Sequence, residues 1–284
     1  MFDYNRAFSR NIGWVTEAEQ QRLKECKVAI AGLGGVGGEH LITLCRLGIQ
    51  RFSLADFDQF DVHNFNRQTG ANIHTIDEDK LAVMMRMAAE INPEVTLNGF
   101  ADGVTAANVE EFLDGVDIYV DSLDFFALDA RKMVFQACTD KGIPIVTAAP
   151  IGMGCAMLCF LPGKMTFEQY FRFGNLSRVD QLLQFLVGLS PSMLQLPYLV
   201  DKSRVDFIAE KGPSTIMGVR LCAGIAASNV LKILLGRGDV VTAPYGLHFD
   251  AYQNKLKKTW LPFGTQGPLP RLMFAIAKRT VLKK

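Results

Sequence analysis

Cationic, acidic and amide side chains are crowded into residues 56–80 of this 284-residue chain. The group consists of Asp56, Asp58, Asn64, Arg67, Gln68 and Lys80. Arginine, lysine and amide groups in such a cluster suit the negative charge that develops on a phosphoryl group during its transfer. A further acid, Asp124, is a candidate ligand for Mg²⁺, which proteins often bind through one or two carboxylates. Each of these residues alone would be typical of a solvated surface, but their order and spacing favour one phosphate site.

A glycine-rich segment, GLGGVG at residues 32–37, precedes this group. It satisfies G-x-G-x-x-G and lies between a predicted strand and a predicted helix, as this motif requires. Gly34, Gly35 and Gly37 would let the backbone approach a phosphate, and the helix N-terminus would supply N–H donors. Asp56 closes the next predicted strand, where a carboxylate can bind ribose hydroxyls. These features indicate a nucleotide site but do not distinguish ATP from NAD.

Apolar runs of strand length alternate with helical patterns through the first half of the chain. Strands are predicted at 27–31, 52–56, 95–100, 116–120 and 143–148, and helices at 37–47, 78–91, 105–113 and 128–141. This alternation predicts an α/β fold with a doubly wound, Rossmann-like, mostly parallel sheet. Asp124 would then lie just beyond the fourth strand, at the carboxyl edge where such sheets bind ligands.

The pattern changes after Pro150, and we expect a C-terminal helical and hairpin extension. A strand is predicted at 155–161, mostly helical structure at 166–210, a long helix at 215–235, a hairpin at 247–260 and a basic amphipathic tail from Arg271. Because no repeat or linker divides the chain, we predict a single domain over residues 1–284. Residues 1–163 would form its nucleotide-binding core, and residues 164–284 would face an acceptor or a second subunit.

The composition excludes several classes of protein. Lys and Arg number 30 against 29 Asp and Glu, and 49% of residues are hydrophobic, so the chain is not disordered and has no global attraction to nucleic acid or anionic membranes. Residues 1–20 lack a signal-peptide apolar region. The most apolar stretch, 216–235, contains Arg220, Asn229 and Lys232, which favours a buried helix over a bilayer span. Six scattered cysteines suit a reducing compartment, so we predict a cytoplasmic protein without a membrane partner.

Taken in order, these motifs resemble the ubiquitin-activating-like (ThiF/MoeB) adenylyltransferase family, which includes the enzymes that activate the sulfur-carrier proteins of thiamine and molybdopterin synthesis. The resemblance rests on the glycine loop, DFD at 56–58, NFNRQ at 64–68, the helix-initial Lys80 and VDSLD at 120–124. Residues 6–10, RAFSR, also resemble the family's N-terminal R-Y-S-R element. Five ordered elements are specific, whereas a glycine loop alone is not.

The resemblance implies how ATP would be held. Gly34, Gly35 and Gly37 would cradle its phosphates. Asp56 would bind the ribose, and Asp58 would belong to the same ATP-binding set.

The resemblance also implies the catalytic residues. Arg67 and Lys80 would act at the α-phosphate and the departing pyrophosphate, with Asn64 and Gln68 binding ATP beside them. Asp124 would bind Mg²⁺ and count among the catalytic residues.

The implied reaction is attack of an acceptor carboxylate on the α-phosphorus of ATP, which gives an acyl-adenylate and pyrophosphate. Such a transfer needs positioning and charge neutralisation but no protein nucleophile. The implied acceptor is the C-terminus of a small ubiquitin-like or sulfur-carrier protein. The implied assembly is a homodimer in which Arg10, a further catalytic residue, reaches the ATP of the partner subunit.

The chain departs from many relatives in its cysteines. A structural zinc on two C-x-x-C pairs is common in the family, but here Cys155 and Cys159 are spaced C-x-x-x-C and no second pair follows, so we predict no zinc. No cysteine lies between Leu161 and Leu221, where relatives carry the thiol that forms a thioester. Cys222 falls within an apolar helix and is read as structural. We therefore expect the reaction to stop at the adenylate.

Two further departures concern the surroundings of the site. Phe125 follows Asp124 where several relatives have an amide, which changes the expected local polarity. Residues 164–213 are the part least similar to the family. Aromatic residues and leucines from Phe167 to Leu189 predict an apolar helical surface that would form a dimer core, cap the site, or dock an acceptor's hydrophobic patch.

Three alternatives to a protein-activating adenylyltransferase stay open. An NAD-dependent oxidoreductase would explain the glycine loop and Asp56 but not Arg67, Lys80 or Asp124. A related branch of the family adenylates a carboxylate on a modified tRNA nucleoside and drives its dehydration, but the near-neutral charge disfavours a nucleic-acid substrate. The third alternative is a nucleotide-binding scaffold that has lost catalysis.

Overall fold

The computed structural model describes residues 1–281, which contain one eight-stranded sheet. Its strands are β1 Lys27–Ala31, β2 Arg51–Ala55, β3 Thr96–Phe100, β4 Ile118–Asp121, β5 Ile145–Ile151, β6 Gly154–Phe160, β7 Tyr245–Asp250 and β8 Lys255–Trp260. The order across the sheet is β3-β2-β1-β4-β5-β6-β7-β8, with β1 to β5 parallel and β6 to β8 antiparallel to their neighbours. The predicted doubly wound, mostly parallel sheet is confirmed.

The strand order reverses at β1, which pairs with β2 on one side and β4 on the other. Every residue of β1 is buried, as expected for an apolar central strand covered on both faces. The reversal opens a crevice beyond the carboxyl ends of β1 and β4, because their following helices pack on opposite faces of the sheet. The segments after β1 and β4 are the glycine loop and the loop that carries Asp124.

Helices cover both faces of the sheet. They are α1 Tyr4–Ala7, α2 Glu17–Glu25, α3 Gly35–Leu47, α4 Lys80–Ile91, α5 Val109–Phe112, α6 Leu128–Lys141, α7 Phe167–Phe171, α8 Arg178–Leu189, α9 Ile216–Leu235 and α10 Pro268–Val281. Side chains of α3, α4 and α9 form one buried core, and those of α5 to α8 form a second core on the other face. Of the predicted basic tail, Lys283 and Lys284 lie outside the described residues.

The predicted helix at 105–113 is too long. The structure has only α5, because the Thr105 N–H donates to Asn108 Oδ1 at 2.7 Å and the Asn108 side chain donates to the Gly103 carbonyl. These bonds close a turn that occupies residues 103–108 and delays the helix to Val109.

The long apolar stretch near the C-terminus forms α9. Within the described residues it is the one helix whose length and apolarity would suffice to cross a bilayer. It packs instead against α3, β5 and β6, and Cys222, Ala226 and Val230 are buried in the first core. The prediction of a buried helix is confirmed.

The apolar pattern from Phe167 to Leu189 does not form an exposed surface within the described residues. The expectation that residues 164–284 face an acceptor or a second subunit stays a prediction. Phe167, Tyr170, Phe171 and Phe185 are each at most 3% exposed, because they fill the second core of this same chain. A helical pattern shows which side chains share a face but not which partner covers that face.

Candidate functional site

The glycine loop is shaped by close backbone contacts. Gly32 has φ of +84°, and a Cβ there would lie 2.5 Å from the Ser122 carbonyl oxygen. A Cβ on Gly37 would overlap the Gly32 carbonyl oxygen. Gly34 caps α3, which begins at Gly35, so the N–H groups of the first turn of α3 face the crevice edge. This arrangement can bind an anion such as a phosphate.

Asp56, at the end of β2, holds the glycine loop in place. Its carboxylate accepts the backbone N–H of Leu33 at 2.5 Å and that of Asp58 at 2.8 Å. Burial raises the pKa of Asp56, and the two hydrogen bonds and nearby Lys80 partly oppose that shift. Fixing the loop is a role that the sequence did not reveal, since the motif indicated only a ribose contact.

Lys80 is a buried cation at the start of α4. Its Nζ lies 3.0 Å from Asp58 Oδ2, and its backbone N–H donates to the Asp58 carbonyl. The Lys80 side chain is 8% exposed, whereas that of Asp58 is 55% exposed. The ammonium therefore sits in a low-dielectric environment, where its attraction for a phosphate is strong.

The segment 64–68 lies beside the glycine loop. The side-chain Oδ1 of Asn64 caps a short turn by accepting the Asp61 N–H. Arg67 donates to the backbone carbonyl of His63 and to Asn66 Oδ1. Gln68 is buried, and its Oε1 has no hydrogen-bond partner among residues 1–281. A Cβ on Gly34 would lie 3.5 Å from Gln68 Nε2. A buried, unpartnered amide oxygen beside a glycine loop fits a polar ligand in the crevice.

Residues 122–127 join β4 to α6 and are named here the Asp124 loop. The Ser122 hydroxyl lies 3.0 Å from the Ala31 carbonyl and 2.9 Å from that of Gly32, so this loop touches the glycine loop. Asp124 is exposed, and its Oδ1 accepts the Phe126 N–H at 2.9 Å. A single exposed carboxylate fits Mg²⁺, which commonly takes its other ligands from water and substrate phosphates.

Phe125 does not make the site apolar. Its ring packs 5.2 Å from that of Phe185 and 6.3 Å from that of Phe207, within the second core. The side chain therefore turns away from Asp124, which stays in contact with solvent.

A buried ion pair behind the Asp124 loop escaped the sequence analysis. Arg131 Nε lies 2.9 Å from Asp121 Oδ2, and Thr147 donates to the same oxygen at 2.7 Å. Arg131 Nη2 also donates to the Leu123 carbonyl at 2.5 Å. A signal was present, because Arg131 occupies the same helical face as the buried Leu128. A charge at such a position needs a buried partner.

Arg10 is not brought to this site within one chain. Its segment is tied to the C-terminal end of α3: Asn11 donates to the Leu47 carbonyl at 3.1 Å and Tyr4 to the Gly48 carbonyl at 2.7 Å. The glycine loop lies at the opposite end of α3, which has 13 residues and so is about 20 Å long.

The cysteines are poor candidates for reaction. Cys155, Cys159 and Cys222 are buried in the first core, and burial raises the pKa of Cys159 to about 12. Residues 1–281 contain no group of three or more His, Cys, Asp or Glu side chains placed to hold a metal. The absence of zinc stays a prediction.

Comparisons with known proteins identify a family. The model of the ThiF family matches residues 8–262. The tRNA threonylcarbamoyladenosine dehydratase of Bacillus subtilis is 32% identical over 142 residues, 50% of this chain and 55% of that protein. The sulfur carrier protein ThiS adenylyltransferase of Escherichia coli is 28% identical over 143 residues, 50% of this chain and 56% of that protein. The chain thus spans about half the length of these curated relatives.

Solved structures show the same fold. E. coli MccB with ATP has a TM-score of 0.67 at 20% identity, over 95% of this chain and 76% of that one. E. coli tRNA N6-threonylcarbamoyladenosine dehydratase has a TM-score of 0.60 at 21% identity, over 82% of this chain and 95% of that one.

Proposed function

The chain belongs to the ThiF family, and from that premise we propose that it is an ATP-dependent adenylyltransferase that activates a carboxylate. One observation carries the proposal: the glycine loop and the Asp124 loop touch at the carboxyl edge of the sheet, and the buried cation Lys80 starts the helix beside them. A plain dinucleotide site has no need of this cation or of the exposed carboxylate of Asp124.

In the proposed reaction, a carboxylate oxygen of the acceptor attacks the α-phosphorus of ATP. The bond from that phosphorus to the oxygen bridging to the β-phosphate breaks, and pyrophosphate leaves with the electron pair. Lys80 and Arg67 stabilise the charge on the phosphates, and the amide groups of Gln68 and Asn64 orient them. Asp124 would hold Mg²⁺, which would neutralise negative charge on the phosphates.

The proposed acceptor is the C-terminal carboxylate of a small protein or peptide. Support comes from the name of the E. coli relative, a sulfur carrier protein ThiS adenylyltransferase, and from MccB, which has been solved with MccA. Because the described cysteines near the sheet are buried, the product leaves as an adenylate and not as a thioester on this chain. The six free cysteines also support a cytoplasmic location.

We further propose that the enzyme is a homodimer in which Arg10 completes the site of the partner subunit. The distance of about 20 Å along α3 between the Arg10 segment and the glycine loop supports action in trans. Mixing Arg10→Ala chains with Lys80→Ala chains tests this. Pyrophosphate exchange should reappear in the mixture if one site of the hybrid receives both residues, and each variant alone should stay inactive. A mixture as inactive as its components would contradict the assignment.

A second candidate, a carboxylate on a modified tRNA nucleoside, is favoured by one observation. Residues 251–284 contain eight Lys and Arg and no Asp or Glu, so the near-neutral total hides a basic C-terminal segment. Phosphate contacts need such a local surface. Salt-dependent binding of bulk tRNA, lost when Lys257 and Lys258 are replaced by Glu, would favour this substrate; no binding at low salt would remove it.

The proposed function is tested by thermal unfolding of the whole chain with ATP and MgCl₂ or with NAD. A ligand at 100 times its dissociation constant adds about 2.7 kcal/mol to the free energy of unfolding. Stabilisation by ATP, with a Mg²⁺ dependence that Asp124→Ala removes, is the expected result. Stabilisation by NAD alone would make the protein an oxidoreductase candidate and overturn the proposal.

A further inference from the structure

Residues 190–215, named here the strap, join α8 to α9 and are fastened on both sides of the candidate site. The Ser214 carbonyl accepts a hydrogen bond from Asn66, the neighbour of Arg67, at 3.1 Å. Thr215 Oγ1 donates to the Gly152 carbonyl at 2.8 Å, in the turn between β5 and β6. Glu210 lies 3.5 Å from Arg178, the first residue of α8. The strap therefore links the segment that carries Arg67 to α8.

One face of α8 supports the Asp124 loop and the start of α6. Arg178, Gln181 and Phe185 are spaced three and four residues apart and so share that face. Gln181 Oε1 accepts from Lys132 Nζ at 2.6 Å, and the Phe185 ring lies 4.8 Å from the Arg131 guanidinium. The Phe185 ring also packs 5.2 Å from that of Phe125, the residue next to Asp124, so this face of α8 holds the loop directly.

Arg178 connects the Asp124 loop to the strap. Its Nη2 donates to the Phe126 carbonyl, its guanidinium lies 3.5 Å from Asp129, and it pairs with Glu210 of the strap. Phe126 in turn donates its N–H to Asp124 Oδ1 at 2.9 Å. An unbroken series of contacts thus runs from Glu210 through Arg178 and Phe126 to Asp124.

We propose that Arg178 is a positioning residue that couples the strap to the Asp124 loop and so sets how well Asp124 binds Mg²⁺. The inference rests on the proposed function, because it takes Asp124 as the metal ligand. Partly exposed ion pairs contribute little to stability, and Arg178 and Glu210 are 40% and 46% exposed, so the expected effect is on the metal rather than on folding. Groups that orient a metal ligand from outside the coordination sphere commonly change metal affinity by about 10- to 100-fold.

The experiment titrates MgCl₂ into the whole chain at a fixed ATP concentration and follows the rise in Tm. Arg178→Met should raise the Mg²⁺ concentration at half-effect by about tenfold. Its Tm without ligand, and its Tm with ATP and a chelator, should equal those of the wild type. A merely structural role would lower both of these Tm values.

Two further variants and a control sharpen the result. Glu210→Gln should raise the half-effect concentration by a smaller factor, and the double variant should be no worse than Arg178→Met, since both act in one series. Arg204→Met removes another exposed arginine that pairs only within the strap, with Asp201, and should change nothing.

The outcomes separate the two claims. If ATP and Mg²⁺ do not stabilise the wild type, the proposed function fails and this inference fails with it. If they do, but Arg178→Met and Glu210→Gln titrate like the wild type, the proposed function stands and the coupling is wrong. Strictly additive effects of the two substitutions would likewise overturn the coupling.

Discussion

The two loops that meet at the carboxyl edge of the sheet are held by different means. The glycine loop is fixed mainly by backbone contacts that leave no room for a side chain at Gly32 or Gly37, with the Asp56 carboxylate accepting the Leu33 N–H. The Asp124 loop is fixed by cationic side chains, since the guanidinium groups of Arg131 and Arg178 hold two of its carbonyls. Its shape therefore depends in part on Arg178, which lies 52 residues from Phe126 along the chain. The difference implies that the first loop tolerates little change, whereas the second can be tuned from outside.

The largest expected effect is a loss of stability when the buried ion pair behind the Asp124 loop is broken. Arg131→Met leaves the carboxylate of Asp121 buried without its partner, which should cost about 3–5 kcal/mol of the free energy of unfolding. Urea denaturation measures this. Arg86→Met, which removes an exposed pair with Glu78, should cost at most about 1 kcal/mol. Equal losses for the two variants would mean that the buried pair does not hold the loop.

The next largest expected effect is on the rate of the reaction and not on stability. Lys80→Ala removes a cation from the phosphate site, and the rate of pyrophosphate exchange with a carboxylate acceptor should fall by about 10²–10³. Stability should change little, because the Asp58 side chain is 55% exposed and water can replace its partner. Lys24→Ala makes the same charge change on a distant surface and serves as control. An exchange rate like that of the wild type would remove Lys80 from the mechanism.

A third effect addresses the backbone packing of the glycine loop. Gly37→Ala places a methyl group against the Gly32 carbonyl and should cost about 1–3 kcal/mol of unfolding free energy, together with ATP binding. Gly224→Ala is the matched control, because its Cβ would meet nothing within 4 Å on α9. That substitution should be neutral or slightly stabilising. A Gly37→Ala chain as stable as the wild type would show that the loop can relax.

The smallest expected effect is a pH dependence of stability caused by His40, in the helix that follows the glycine loop. His40, in α3, is buried with no partner for either ring nitrogen among the described residues, and burial lowers its pKa to about 4. Between pH 4 and 6.5 the unfolded chain binds the proton that the folded protein excludes, so stability falls as the pH falls. Lowering the pH from 7 to 5.5 should cost about 1 kcal/mol through this group.

Denaturant unfolding at the two pH values measures that loss. His40→Leu should remove it, whereas His74→Gln, a change at an exposed histidine, should leave it in place. An unchanged loss in His40→Leu would assign the pH dependence to other groups.

The parallel half of the fold was predictable because its signals are local. The strand 27–31 and the helix 128–141 were predicted with the bounds that the structure has, since apolar periodicity and flanking glycines define both. The glycine loop and the Asp124 loop touch through Gly32 and Ser122, because the carboxyl ends of adjacent parallel strands share one edge.

The rest depends on contacts between residues that are distant in sequence. The apolar residues from Phe167 to Leu189 predict an exposed apolar surface. They are instead buried in the second core, because they pack against one face of the sheet. Arg178 carries no local signal, since a charge at a helix start is ordinarily solvated and only the Phe126 carbonyl gives it a role. Arg131 did carry a signal, because it is a charged residue on the apolar face of a helix, where a charge needs a buried partner.

Helix α9 contributes both to the first core and to the surroundings of the glycine loop. This helix covers β5 and β6 and brings Val219 to 3.4 Å from where a Cβ of Gly35 would stand, so the most C-terminal helix of the first core also packs against the glycine loop. A shortened chain that ended before residue 216 would lose that contact together with a large part of the first core. The strap between α8 and α9, by contrast, touches the site region through Glu210, Ser214 and Thr215. A change in the strap would therefore alter the support of the Asp124 loop through Glu210, while α9 would keep the glycine loop in place.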